Sequence, residues 1–332
     1  MPPLNHPLRL RPVLKDYLWG GERLGQMFGK PLADGAICAE SWEVVDHPDG
    51  QSVVEKGPFA GKTLGELVSE NPEQLFGGYE RERGGHPERF PLLFKLLDAH
   101  KTLSVQVHPN DAQAARQDPP DLGKTEAWLV LAAEPGGKIY AGLKEGVGRD
   151  ELAAAIEAGE CDRCLHVLEP SVGDCVFIPA GTVHALGEGL VIAEIQQASN
   201  TTFRLFDWNR LDKDGQPRPL HIQESLAVAD YTRGPVEPQT PEPLGDGWER
   251  LVECDKFLFD RCRSEAMRPT QLPLSNGPQI VCLIDGAGHL KGQGYDEPMT
   301  AGQTLLLPAA CPPGEFAAEQ TGAVLLSMRL PD

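Results

Sequence analysis

Between Thr102 and Asp111 the chain reads TLSVQVHPND, and alternation sets Leu103, Val105 and Val107 on one face and Ser104, Gln106 and His108 on the other. An apolar face of this kind packs against a neighbouring layer. The opposite face carries three polar groups inward, which costs free energy unless something binds there. Further short β-rich runs are predicted at 92–97, 127–131, 175–178 and 191–195, with 102–107 among them. Thirty-six glycines and 30 prolines spread through the chain punctuate these runs, the pattern of a sandwich or barrel. Helical periodicity is local: 63–69, where Thr63 and Glu66 stand in capping-box spacing, 150–158 and 222–229. The expected class is therefore all-β dominated, with short helices as decoration.

The segment 234–247, GPVEPQTPEPLGDG, is acidic, rich in Pro and Gly, and without apolar periodicity, so it reads as a linker. It divides the chain into a larger part, 1–233, and a smaller one, 248–332. The parts echo one another. VGDCVFIPA at 172–180 aligns with AGQTLLLPA at 301–309, and 127–142 resembles 280–292 as strand, glycine turn and strand. After the first Pro-Ala comes Gly181-Thr182-Val183-His184; after the second comes Ala310-Cys311-Pro312-Pro313-Gly314, with no histidine.

Composition narrows the partners. A formal net charge of −19 disfavours nucleic acid, whose backbone is held by clustered Lys and Arg. No window offers the 18 uncharged apolar residues of a membrane helix, and Met1-Pro2-Pro3-Leu4 lacks the features of a secretory signal. The expectation is a soluble, cytoplasmic protein, a monomer or weak homodimer. Eight scattered cysteines do not resemble a disulfide framework. Cys161-x-x-Cys164 lacks a second pair and a thioredoxin-like context, so buried thiols are the expected reading there. No nicotinamide fingerprint or phosphate loop is present.

The candidate chemistry lies where the polar face of 102–108 meets two other strand ends. His108 and His184 offer imidazole nitrogens, Gln106 an amide oxygen and Glu126 a carboxylate. That set suits zinc with room for water or substrate, and equally Fe(II), Mn(II), Co(II) or Ni(II).

The segments PLLFKLLDAHKTLSVQVHPND (91–111), GKTEAWLVL (123–131) and PAGTVHALGEGLVIAEIQQASNTTFRLFDWNR (179–210) resemble the core signatures of type I phosphomannose isomerases, most closely the short bacterial form. Weaker similarity runs through WGGERLG (19–25) and ESWEVVDHPDG (40–50). The resemblance implies two cupin (jelly-roll) domains, one zinc held by Gln106, His108, Glu126 and His184, and a second domain without metal. It implies a sugar-phosphate substrate, with cationic positions mapping onto Lys95, Lys124, Arg204 and Arg210, and Ser104 on the same polar face. It further implies an aldose–ketose isomerisation of mannose 6-phosphate and fructose 6-phosphate through an enediol. Arg204 would stabilise charge, and Glu194 would move the proton, with Lys124 and bound water as rivals for that role. The family pattern has Asp where this chain has Asn200, which removes a charge near the site. Two other classes use the same shell: an Fe(II) cupin dioxygenase, which leaves the basic residues unexplained, and a sugar-phosphate-binding regulator without turnover.

Overall fold

The computed structural model describes residues 2–79, 87–211, 215–319 and 322–331. It is built mainly of antiparallel strands with a few short helices. Two compact units emerge, one formed by 17–21 and 97–239, the other by 1–16, 22–96 and 240–332.

The first unit contains a five-stranded antiparallel sheet in the order Leu165–Leu168, Ile139–Leu143, His184–Leu186, Val105–Val107, Phe203–Phe206. A second run of three strands, Cys175–Ile178, Glu126–Ala133 and Leu190–Gln197, is also antiparallel. Trp128, Val130, Ile139, Ala141, Val176, Ile178, Leu186 and Ile192, drawn from both sheets, form one buried cluster between them. The outward side of the five-stranded sheet packs Val105, Val107, Ala185 and Leu205 against helix residues Leu152, Ala155, Ile156 and Leu226. These come from the helices Arg149–Glu157 and Ile222–Val228, close to where periodicity places them. Each such Val, Leu or Ile side chain contributes roughly 1.5–3 kcal/mol by leaving water.

The alternation read from 102–108 holds from Val105 onward, where the strand begins. Leu103 departs from it. Its N–H bonds to Leu186 O (2.8 Å), and its side chain packs against the interior cluster, away from Val105 and Val107. The carbonyls of Thr102 and Leu103 accept from Arg210 Nη1 (2.5 Å) and Trp208 Nε1 (2.7 Å), so this stretch bonds to side chains and not to a strand ladder.

The second unit pairs an eight-stranded sheet with a four-stranded one, and Val281, Leu283, Leu290, Leu305, Phe316 and Leu325 fill the space between. Its helix Leu64–Glu70 carries the predicted capping box: Thr63 Oγ1 accepts from Glu66 N (3.1 Å), and Glu66 Oε2 accepts from Thr63 N (2.7 Å). The internal echo is visible as shared topology. Cys175–Ile178 pairs with Glu126–Ala133 just as Thr304–Leu307 pairs with Gln279–Asp285, and Ile139–Leu143 pairs with His184–Leu186 as Ala287–Gly292 does with Gly314–Ala318.

The division differs from the sequence-based one at 1–233 and 248–332. Leu8–Arg11 pairs with Thr304–Leu307 (Leu8↔Leu306) and with Val53–Val54, which ties the N-terminal strands to the C-terminal unit. Nor is 234–247 a free linker. Val236 N bonds to Ala141 O (3.1 Å) and Gln239 N to Cys175 O (2.7 Å). Glu242–Gly245 then pairs with Trp248–Glu253 as a strand. Among the described residues, no helix is long and apolar enough to cross a membrane.

Candidate active site

Sheet register assembles the site. His184 and Arg204 are the two cross-strand partners of Gln106, so these three side chains share one face, and His108 joins them two residues on. On the other strand run, Glu126 faces Ile178 on one side and Gln196 on the other. The sequence thus delivers an imidazole, an amide and a guanidinium in one row and a carboxylate in another.

The rows converge. Ligating atoms of His108, Glu126 and His184 lie within 4.8 Å of one another. His184 Nε2 is 3.2 Å from Glu126 Oε1, and His108 Nε2 is 3.6 Å from Glu126 Oε2. All three residues are at most 1% exposed. Each imidazole is turned by its other nitrogen: His108 Nδ1 donates to Thr201 O (2.9 Å) and His184 Nδ1 to Thr182 O (2.8 Å). Those bonds leave both Nε2 atoms as lone-pair donors, the arrangement that metal-binding histidines use. Glu126 Oε1 and His184 Nε2 are buried without a hydrogen-bond donor, and Glu126 Oε2 meets only the Lys124 ammonium and His108. Orphaned acceptors in a dry interior are costly, and a divalent cation satisfies all of them together. The donor set fits a metal.

Lys124 completes the cluster. Its Nζ lies 3.1 Å from Glu126 Oε2 and 3.3 Å from His108 Nε2, in a buried position. Burial, reinforced by Lys124, pushes His108 down to about 3, and burial likewise lowers His184. Burial alone would raise Glu126, but Lys124 and the two imidazoles outweigh it and hold the carboxyl well below its ordinary range. Both imidazoles are therefore neutral at physiological pH, as ligands must be. The sign for stability follows. The unfolded imidazole titrates near 6.5, whereas the folded His108 resists protonation until about pH 3. Between these values the unfolded chain binds more protons. Chelator-treated protein should therefore lose stability as pH falls from about 6.5 toward 3, by up to roughly 1.4 kcal/mol per pH unit from His108 alone. Urea unfolding across pH 4–7 checks this, and His108→Asn should flatten the slope. A stability independent of pH in that window would contradict it.

A second polar group gathers at Arg204. Its Nε donates to Ser104 Oγ (3.2 Å) and its Nη1 to Pro219 O (3.0 Å). Asp207 takes Arg210 Nη2 (2.5 Å) on Oδ1 and Arg218 through both carboxylate oxygens (2.5 and 2.7 Å). Burial pushes Asp207 up, but these bonds prevail and its pKa falls. Three guanidiniums against one carboxylate leave a net positive region, suited to an anion.

The catalytic-domain pattern of type I phosphomannose isomerases matches residues 8–131. Mannose-6-phosphate isomerase ManA of Bacillus subtilis is 35% identical over 333 residues, covering 97% of this chain and 99% of that protein. The chain belongs to the type I phosphomannose isomerases. A mannose-6-phosphate isomerase of Streptococcus mutans is 35% identical, covering 92% of this chain and 93% of that one. The crystal structure of the Bacillus subtilis mannose 6-phosphate isomerase matches with a TM-score of 0.86 at 31% identity, over 98% of this chain and 99% of that chain.

Within this family member the positions read from sequence distribute as follows. Ser104, Gln106, His108, Lys124, Glu126, His184 and Arg204 lie in one unit, tied together by the contacts and register above. Glu194 is buried on the same strand as Gln196, opposite Trp128 and on the interior face. Arg210 is held by Asp207 and by Thr102 O (2.5 Å). Lys95, in the other unit, is buried beside Glu40 (3.4 Å), which also accepts from Trp42 Nε1 (2.5 Å). Asn200 is exposed. Cys161 and Cys164 are buried free thiols, and burial pushes Cys161 up to about 12, which removes thiolate chemistry there. Sequence reasoning missed Arg218, Gln196 and Asp121. Asp121 Oδ2 accepts from Ser199 Oγ (2.7 Å) and Thr201 Oγ1 (2.9 Å), bracing the residue whose carbonyl orients His108.

Proposed function

We propose that the chain interconverts mannose 6-phosphate and fructose 6-phosphate, with zinc held by Gln106, His108, Glu126 and His184. The observation that carries this reading is the buried His108–Glu126–His184 cluster, with Gln106 linking His184 and Arg204 across one sheet face. When bound, the metal supplies Lewis acidity toward the substrate oxygens. The protein does the rest. Arg210 and Arg218 anchor the phosphate at the cationic rim. Arg204, steadied by Ser104, directs its remaining N–H groups at oxygen that gains negative charge as the enediol forms. Glu194 carries the proton between C1 and C2 from the interior face, with Lys124 as the alternative carrier. Eight free thiols fit a reducing, cytoplasmic setting.

A coupled assay tests the reading. Zinc-loaded protein should convert mannose 6-phosphate, chelation should stop turnover, and one equivalent of zinc should restore it. Absence of conversion by the loaded protein would rule the assignment out.

A further inference from the structure

Gln196 lies on the strand Leu190–Gln197 directly across from Glu126 and is 1% exposed. Its Nε2 donates to two backbone carbonyls, Gln197 O (2.8 Å) and Ser199 O (2.6 Å). Exchanging the two ends of the amide would set oxygen against oxygen twice, so the orientation is fixed by chemistry. Oε1 is left buried without a hydrogen-bond partner. Its cross-strand neighbour Glu126 and the cluster around that carboxylate supply it no hydrogen bond. Glu126 accepts only, and His184 Nε2 is a lone-pair atom because Nδ1 carries the proton. Lys124 Nζ is directed at Glu126 and His108. Trp128 Nε1, a donor on the same sheet face, is likewise buried without a hydrogen-bond partner, so it does not satisfy Oε1, which stays open to a donor from a bound molecule.

We infer that Gln196 is a substrate-positioning residue whose Oε1 accepts a hydrogen bond from a hydroxyl of the bound sugar. The assignment rests on the isomerase reading and sharpens it. A neutral acceptor welcomes an O–H and repels phosphate oxygen, which has no proton to give. Gln196 therefore favours the polyol end of the substrate at the metal cluster, while the arginines hold the anionic end. The two backbone bonds keep the amide from turning to offer its N–H instead.

Calorimetry with mannitol 6-phosphate and its 2-, 3-, 4- and 5-deoxy derivatives tests this on zinc-loaded wild type and Gln196→Met. Methionine keeps the volume and removes the acceptor. Losing one neutral hydrogen bond should weaken Q196M binding of mannitol 6-phosphate about 5- to 10-fold. One deoxy derivative should bind the wild type weaker by the same factor, and Q196M no weaker than the wild type binds it. Zinc content should stay at one per chain. Equal weakening for every probe would mean that the amide only braces 197–199 or holds a buried water, and the inference falls. If Q196M does not fold, Gln196→Asn, which retracts the amide by one methylene, should give the same selective loss. Wild-type turnover of mannose 6-phosphate, measured alongside, separates failure of the isomerase reading from failure of this one.

Discussion

Replacing His108 or His184 with Ala should leave a protein that folds but neither keeps zinc at stoichiometry nor turns over. Each imidazole presents Nε2 to the cluster because its Nδ1 is tied to a backbone carbonyl, at Thr201 and Thr182 respectively. Truncation therefore removes a preoriented ligand. Two or three donors cannot hold the ion in a closed geometry against water. The fall in turnover should be at least about 10³-fold, roughly 4 kcal/mol of lost transition-state stabilisation. Folding should survive because the apolar interior around Trp128, Val130, Val176 and Ile192, and the outer layer around Val105 and Leu152, are untouched. Metal analysis after dialysis, circular dichroism and the coupled assay read the three outcomes separately. Stoichiometric zinc with full turnover in both variants would dismantle the proposed shell.

Part of the candidate cluster was legible in sequence because the two-residue period holds from Val105 onward. Alternation from Val105 sets Gln106 on the polar face, and the register puts His184 and Arg204 alongside it, whereas at Leu103 the period fails. Local signals were equally dependable: the Thr63/Glu66 capping box needs only three residues of context. What stayed hidden was long-range. Nothing in Leu8–Arg11 announces that it pairs with Thr304–Leu307, nearly 300 residues away, so the sequence-based boundary grouped these strands differently from the contacts. Arg218 sits between prolines with no periodicity to mark it, and its role appears only when Asp207 is seen to bind both Arg210 and Arg218. Gln196 was obscured for a different reason. Its significance lies in an oxygen left over after its nitrogen is used, and only the folded backbone supplies the two carbonyls that use it.

Arg204→Ala should cost catalysis heavily while sparing the metal. Arg204 is the cross-strand neighbour of Gln106, on the opposite side from His184, so its side chain rises from the face that carries the ligands. Two of its donors are spent on Ser104 and Pro219 O, which fixes the plane of the guanidinium. The remaining N–H groups are thereby aimed in advance, and a preoriented donor facing developing charge is worth about 2.7–4 kcal/mol, or roughly 10²–10³ in kcat. Burial, with Arg218 and Arg210 nearby, lowers its pKa, yet a guanidinium remains protonated at any working pH. Arg204→Lys separates charge from geometry: a point charge cannot bond Ser104 and Pro219 O while donating onward, so it should recover only a small part of the loss. The expected pattern is a lowered kcat with zinc retained at one per chain. A change under about threefold would place Arg204 outside the chemistry. Loss of zinc from R204A would instead recast the residue as a support for Gln106 and the ligand row.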